Sequence, residues 1–233
     1  MSRAALGSVL LAAIVFTLGC EDRTPVAPSL SPAAGSPALP AVFTLTGTVY
    51  ESTRDGRRPV AGLPLDISVD YQSRSPVTTT DAEGHYRFTG SSSEKLNVRV
   101  EKEGYSQPCR SAVPLTADSV MDVYVVANAT LSADGVPASM PVIQPTLSGT
   151  VFERAAEGVR PLQGVKLTAD FSAGLGWGPS AATVTDAAGR YLLCGVDGVM
   201  GLELWIQRPG QPNRSVPVDI RTTTRLDIEL TAR

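Results

Sequence analysis

The chain is poor in the residues that most enzyme chemistry uses. Its 233 residues include one histidine, His85, three cysteines and three lysines. No Ser-His-Asp or Cys-His arrangement can be built by spacing from a single histidine, so no catalytic set, no metal site and no cofactor is predicted. Charged residues make up only 18% and the net charge is -3, without clusters, which excludes a nucleic-acid footprint. Ten glutamates and three lysines supply few helix surfaces. Val and Thr together number 46, and Gly and Pro 39. That balance predicts an all-β chain of short strands joined by tight turns.

Long apolar runs are scarce too. The segment Ala4–Gly19 follows Arg3 and is shorter than the roughly 20 residues of a membrane-spanning helix. A positive charge, a short apolar run and small residues before a break make a secretory signal. Its end, Thr17-Leu18-Gly19-Cys20, resembles the lipobox of bacterial lipoproteins, with Leu two places before the cysteine rather than three. The resemblance implies removal of residues 1–19 and lipidation of Cys20, which would anchor the chain to the membrane. Glu21, in place of the aspartate that favours inner-membrane retention, implies an outer-membrane address in the cell envelope. Residues 20–41 carry Pro25, Pro28, Pro32, Pro37 and Pro40 without apolar periodicity. Such a tether extends by about 3.1 Å per residue and reaches roughly 60 Å from the lipid.

The rest of the chain repeats itself. A shift of 102 residues lays Leu45-Thr46-Gly47-Thr48-Val49-Tyr50-Glu51 on Leu147-Ser148-Gly149-Thr150-Val151-Phe152-Glu153. Pro59, Gly62 and Leu65 fall on Pro161, Gly164 and Leu167. After a three-residue insertion, Thr80-Asp81 to Tyr86 fall on Thr185-Asp186 to Tyr191. A period near 100 suits a duplicated sandwich domain. The predicted organisation is sandwich 42–128, linker 129–145 and sandwich 146–233. Alternation assigns Leu63, Leu65, Ile67 and Val69 to the first core and Val165, Leu167, Ala169 and Phe171 to the second. The Asp-Ala-x-Gly segments read as hairpin turns.

The string of Gly47 and Val49, Pro59 to Leu65 and Thr78 to Tyr86, repeated at Gly149 and Val151, Pro161 to Leu167 and Thr183 to Tyr191, resembles the carboxypeptidase regulatory-like domain. The resemblance implies two tandem seven-stranded antiparallel Greek-key β-sandwiches of transthyretin-like type. It implies a non-enzymatic binding or spacer module, sometimes with carbohydrate contacts. Glu103-Gly104-Tyr105 matches the family's Gly-Tyr, whereas the second copy has Arg208-Pro209-Gly210. A zinc carboxypeptidase itself needs two histidine ligands and two glutamates, which one histidine cannot supply.

A few residues remain as candidates. His85 occupies a turn position that Arg190 fills in the other copy, which suits a surface role. Asp66 and Asp70 are about 13 Å apart by strand rise and are expected on a solvated face. Asp81, Glu83 and Asp186 are too sparse for a calcium loop. Lys95, Lys102 and Lys166 are not equivalent between copies, which argues against a repeated Lys-Asn crosslink. With Cys20 lipidated, Cys109 and Cys194 either pair across the two copies or are both free. Trp177, in a glycine-rich insertion, and Trp205, expected to face outward, are the candidate ligand contacts. Three functions follow: an anchored binding or spacer module with a protein or polysaccharide partner, a carbohydrate-binding module using the tryptophans, or accessory domains of an envelope enzyme assembly.

Overall fold

The computed structural model describes residues 41–69, 77–91, 93–170, 179–196, 202–222 and 224–231. Cys20, Asp70, Phe171 and Trp177, and all of the signal and tether before residue 41, lie outside them. Residues Pro40–Arg233 form one compact unit. The first ten strands are β1 Val42–Thr53, β2 Gly56–Pro59, β3 Pro64–Val69, β4 Thr78–Thr79, β5 His85–Ser91, β6 Ser93–Val100, β7 Tyr105–Ser106, β8 Ser111–Leu115, β9 Ser119–Val120 and β10 Val123–Ala127. After a helix, α1 Asn128–Asp134, come β11 Thr146–Ala155, β12 Gly158–Pro161, β13 Lys166–Asp170, β14 Pro179–Val184, β15 Arg190–Cys194, β16 Leu202–Gln207, β17 Arg214–Val218, β18 Thr224–Arg225 and β19 Ile228–Thr231. The fold is an all-β sandwich architecture.

Each half is built on a long first strand. In the first, β1 pairs β5 and β9 along its first part and β2 and β10 along its second, with β7 beyond β10. The facing sheet has the order β4-β3-β6-β8. In the second half, β11 pairs β15, β18, β12 and β19 in the same way, and β14-β13-β16-β17 faces it. Among the described residues strands number ten and nine rather than seven per half, because short pieces such as β4, β9 and β18 pair separately against their neighbours. The sheets are antiparallel as expected, except where the closing strands join the first strand of each half. β10 runs parallel to β1, and β19 to β11, because the chain changes sheets on the way and returns in the direction in which it began.

The inward rows predicted by alternation form the cores. Leu65, Ile67, Leu96 and Val98 meet Leu45, Val49, Val123 and Val125 in the first half. Leu167, Ala169, Leu204 and Ile206 meet Leu147, Val151, Ile228 and Leu230 in the second. Burying one such aliphatic side chain is worth roughly 1.5–3 kcal/mol.

The predicted linker is a packed element. Leu131 of α1 and Met140 are buried with Val126, Val184, Cys109 and Cys194 in a third apolar cluster that joins the halves. Arg57 Nε donates to the Ser139 carbonyl at 2.6 Å, and Ser139 Oγ to the Thr53 carbonyl at 2.8 Å. Gln163 Nε2 reaches the Ser132 carbonyl from the other half at 2.8 Å. The expected linker 129–145 does connect the halves, but its apolar residues give it something to bury.

Candidate functional site

The repeated motif residues are spent on structure. The phenol of Tyr86 donates to the Met121 carbonyl at 2.6 Å, and that of Tyr191 to the Leu226 carbonyl at 2.7 Å. Burial raises both phenols above the usual tyrosine range, so they remain protonated donors. Gly47 and Gly149 let these same carbonyls approach β1 and β11. Asp122 Oδ1 accepts from Thr48 N at 3.0 Å, and Asp227 Oδ1 from Thr150 N at 2.9 Å.

The Asp-Ala-x-Gly turns form as read, though they are not hairpins within one sheet. Gly84 and Gly189 have φ of 80° and 72°, and His85 N and Arg190 N each donate to the preceding aspartate at 2.8 Å. Each turn carries the chain between sheets, since β4 pairs β3 while β5 pairs β1. The backbone bond from His85 holds Asp81 below the usual carboxylate range. Potential ligand atoms of Asp81, Glu83 and His85 lie within 4.8 Å of one another, all on exposed side chains. A groove of about 600 Å³ opens beside them, lined by Thr48, Thr78 and Asp122 among others. Three groups fall well short of a calcium shell of six or more oxygens. The second copy explains the geometry without a metal: Arg190 Nε bonds Asp186 Oδ2 at 2.9 Å, where His85 Nδ1 stands 3.4 Å from Asp81 Oδ2.

A second repeated pair sits at the strand edges. Glu51 accepts from Arg58 Nη2 at 2.7 Å, with Tyr105 near enough to feel its charge. Glu153 accepts from Arg160 Nε at 2.7 Å and from Arg208 Nη1 at 2.7 Å. Arg208 thus takes the place that Tyr105 has in the first half. Arg208 and Arg160 hold Glu153 below the usual carboxylate range. A carboxyl depressed by folding stabilises the fold above its unfolded pKa, and that contribution is lost as pH falls through the folded value. The thermal midpoint is therefore expected to fall below about pH 4.3, and less steeply in Glu153→Gln. Parallel pH profiles for the two proteins would contradict this assignment.

Asp66 corrects the sequence reading outright. It is fully buried on the outer face of β3 and bonded to Arg99, its register partner on β6. Ser68 and Asn97, the next pair, are buried as well, and Arg110 Nη2 bonds Asn97 Oδ1 at 2.9 Å. Alternation identified the core face but could not show that the polar face is covered too.

Cys109 and Cys194 are joined by a disulfide whose Cα atoms are 4.3 Å apart. Hydrogen bonds run beside it, from Cys194 N to the Pro108 carbonyl at 2.9 Å and from Arg110 N to the Cys194 carbonyl at 3.0 Å. The bridge closes a span of 85 residues. Replacing both cysteines with serine is expected to cost about 2–4 kcal/mol, mostly by freeing the unfolded chain. The parent should gain two hydrogens in mass on denaturing reduction; a protein that gains none has two free thiols and no clamp.

A cleft of about 400 Å³ lies between the halves, lined by Lys102, Tyr105 and Asn128 on one side and Lys166, Thr168 and Ala182 on the other. Trp205 is half-buried and faces outward from the core, as expected, with Thr168 as its register partner.

No protein-family model matches the chain, and no curated protein matches it. Among solved structures, the shaft pilin SpaA of Lactobacillus rhamnosus GG is 15% identical over 82% of this chain and 97% of its own, with a TM-score of 0.28. BcpA, the major pilin subunit of Bacillus cereus, is 10% identical over 81% of this chain and 99% of its own, with a TM-score of 0.28. The TIE protein of Bacillus anthracis is 13% identical over 82% of this chain, with a TM-score of 0.28, and the match spans 33% of that protein. Likeness at this level carries no argument about function. The fold class rests on the sheets themselves.

Sequence reasoning treated Lys102 and Lys166 only as crosslink candidates and missed that they converge on one cleft. The available signal was their scarcity, since two of the three lysines in the chain line it.

Proposed function

We propose that the chain is a non-enzymatic envelope lipoprotein, anchored through Cys20, whose two carboxypeptidase regulatory-like sandwiches serve as a rigid binding or spacer module beyond a proline-rich tether. The observation that carries this reading is the joining of the halves by a buried disulfide and a packed connector. A relay that bent between its domains would need a solvated linker, and a spacer or a shared binding surface needs the opposite. The disulfide suits an exported protein in an oxidising compartment. The repeated Gly, Tyr, Asp and Glu residues are engaged in backbone or ion-pair contacts, which supports scaffold over catalysis. Among the described residues no helix is long and apolar enough to cross a membrane.

Expressed in a Gram-negative host fed alkyne-palmitate, the protein is expected to take the label and to sediment with membranes. Cys20→Ala should abolish both. Unlabelled, soluble wild-type protein would overturn the anchor, and independent tumbling of the halves by ¹⁵N relaxation would overturn the rigid module.

A further inference from the structure

We infer that the cleft between the sandwiches is a binding site for a carboxylated saccharide, with Lys102 from one half and Lys166 from the other as its anion contacts. The inference rests on the halves acting as one binding body, as proposed above.

The walls are fixed before any ligand arrives. Tyr105 N bonds the Lys102 carbonyl at 3.3 Å across a turn whose Gly104 has φ of 87°, and Asn128 N bonds the Gly104 carbonyl at 2.8 Å. Lys166 and Thr168 stand on β13, which is hydrogen-bonded on both sides by β14 and β16. The bond from Ala182 N to the Gln107 carbonyl at 2.9 Å ties one wall to the other. A preorganised site loses little entropy on binding.

Charge sets the ligand class. Both lysines are exposed and neither has an ion-pair partner among the described residues, whereas Arg99 is engaged by Asp66 and Glu101. Glu101 is thereby occupied, which leaves Glu103 as an exposed carboxylate on the same turn, an acceptor suited to ligand hydroxyls rather than a counter-ion to both lysines. Asn128 Oδ1 accepts from Ser106 Oγ at 2.6 Å, leaving its amide to donate. Tyr105 contributes an aromatic ring to the lining, and the half-buried Trp205 is the register partner of Thr168 on the neighbouring strand. Such rings stack on sugar faces, and the lysines suit carboxylates. A peptide adding as a strand finds no open edge here: β7 is bonded to β10 on one side, and its continuation at Gln107 to Ala182 on the other.

The test is calorimetric titration of the full chain in detergent micelles with oligogalacturonate, with neutral maltoheptaose and with oligoglutamate. Oligogalacturonate should bind, more weakly as salt rises, and the other two should not. Lys102→Gln and Lys166→Gln should each weaken binding about tenfold, the loss of one charge-assisted hydrogen bond, with the melting temperature unchanged. Arg221→Gln, an exposed charge elsewhere, should leave affinity alone. Equal binding of oligoglutamate would make the ligand an acidic peptide and overturn the saccharide assignment. Equal loss in Arg221→Gln, or indifference to both lysines, would overturn the site. A protein that takes palmitate at Cys20 and tumbles as one body, yet binds none of the probes, overturns this inference and leaves the anchored module standing.

Discussion

Gly47→Ala should strongly destabilise the first sandwich. A Cβ at residue 47 would stand 1.8 Å from the Met121 carbonyl oxygen, 2.7 Å from its carbon and 2.9 Å from the Tyr86 ring. The first two atoms are backbone and cannot swing aside. That carbonyl also accepts the Tyr86 phenol, and Met121 N is bonded to the Thr46 carbonyl at 2.9 Å, so the segment is held from both sides. Relief requires β1 to separate from its neighbours, at a cost of more than about 4 kcal/mol. For a unit of this size each kcal/mol moves the melting temperature by about 2–4 °C, which makes the expected drop at least about 8 °C. Gly149→Ala should do the same to the second half, since its Cβ would meet the Leu226 carbonyl oxygen at 1.9 Å. Gly62→Ala is the control: nothing lies within 4 Å, and only the strain of its φ of 68° remains, about 1–2 kcal/mol. If Gly47→Ala melts no lower than Gly62→Ala, the close approach is not what that glycine serves.

The second large effect is expected at the buried ion pair. Arg99→Met removes the partner of Asp66, and Asp66 Oδ1 already has no hydrogen-bond partner among the described residues. A fully buried carboxylate left without its cation costs about 3–5 kcal/mol. Replacing both members, as Asp66→Leu with Arg99→Met, exchanges two costly desolvations for apolar contact and should recover most of that loss. Urea titrations of the single and double variants give the comparison directly. A single variant no less stable than the double would mean that the pair is screened by water and belongs to the surface after all.

These two sites differ in how well the sequence announced them. Gly47 and Tyr86 recur at Gly149 and Tyr191, and such repetition marks residues that every copy of a fold needs. The rows Leu63-Leu65-Ile67 and Val165-Leu167-Ala169 were legible because a strand puts alternate residues on one face and burial selects apolar ones. Asp66 was misread because the same rule assigns the other face to solvent by default. That default fails where Asp66 pairs with Arg99 and Asn97 with Arg110 across strands β3, β6 and the segment before β8. The packing of the linker was not legible for a related reason: Leu131 and Met140 have no periodicity, and only their neighbours across the junction show that they are core.

The sparse histidine and lysine with which the sequence was first read now mean different things. The single histidine narrowed the chemistry expected from composition, and in the structure it stands exposed at the start of β5. The lysines acquired their meaning only in three dimensions. The sequence by itself determined the class of fold, the duplication and the core faces, since those follow from local periodicity and repetition. Tertiary structure decided the parallel closing strands, the Cys109–Cys194 bridge, the buried polar face and the cleft shared by Lys102 and Lys166. Each of those joins residues far apart in the chain, and no local pattern of side chains encodes which distant partner a strand or a charge will meet.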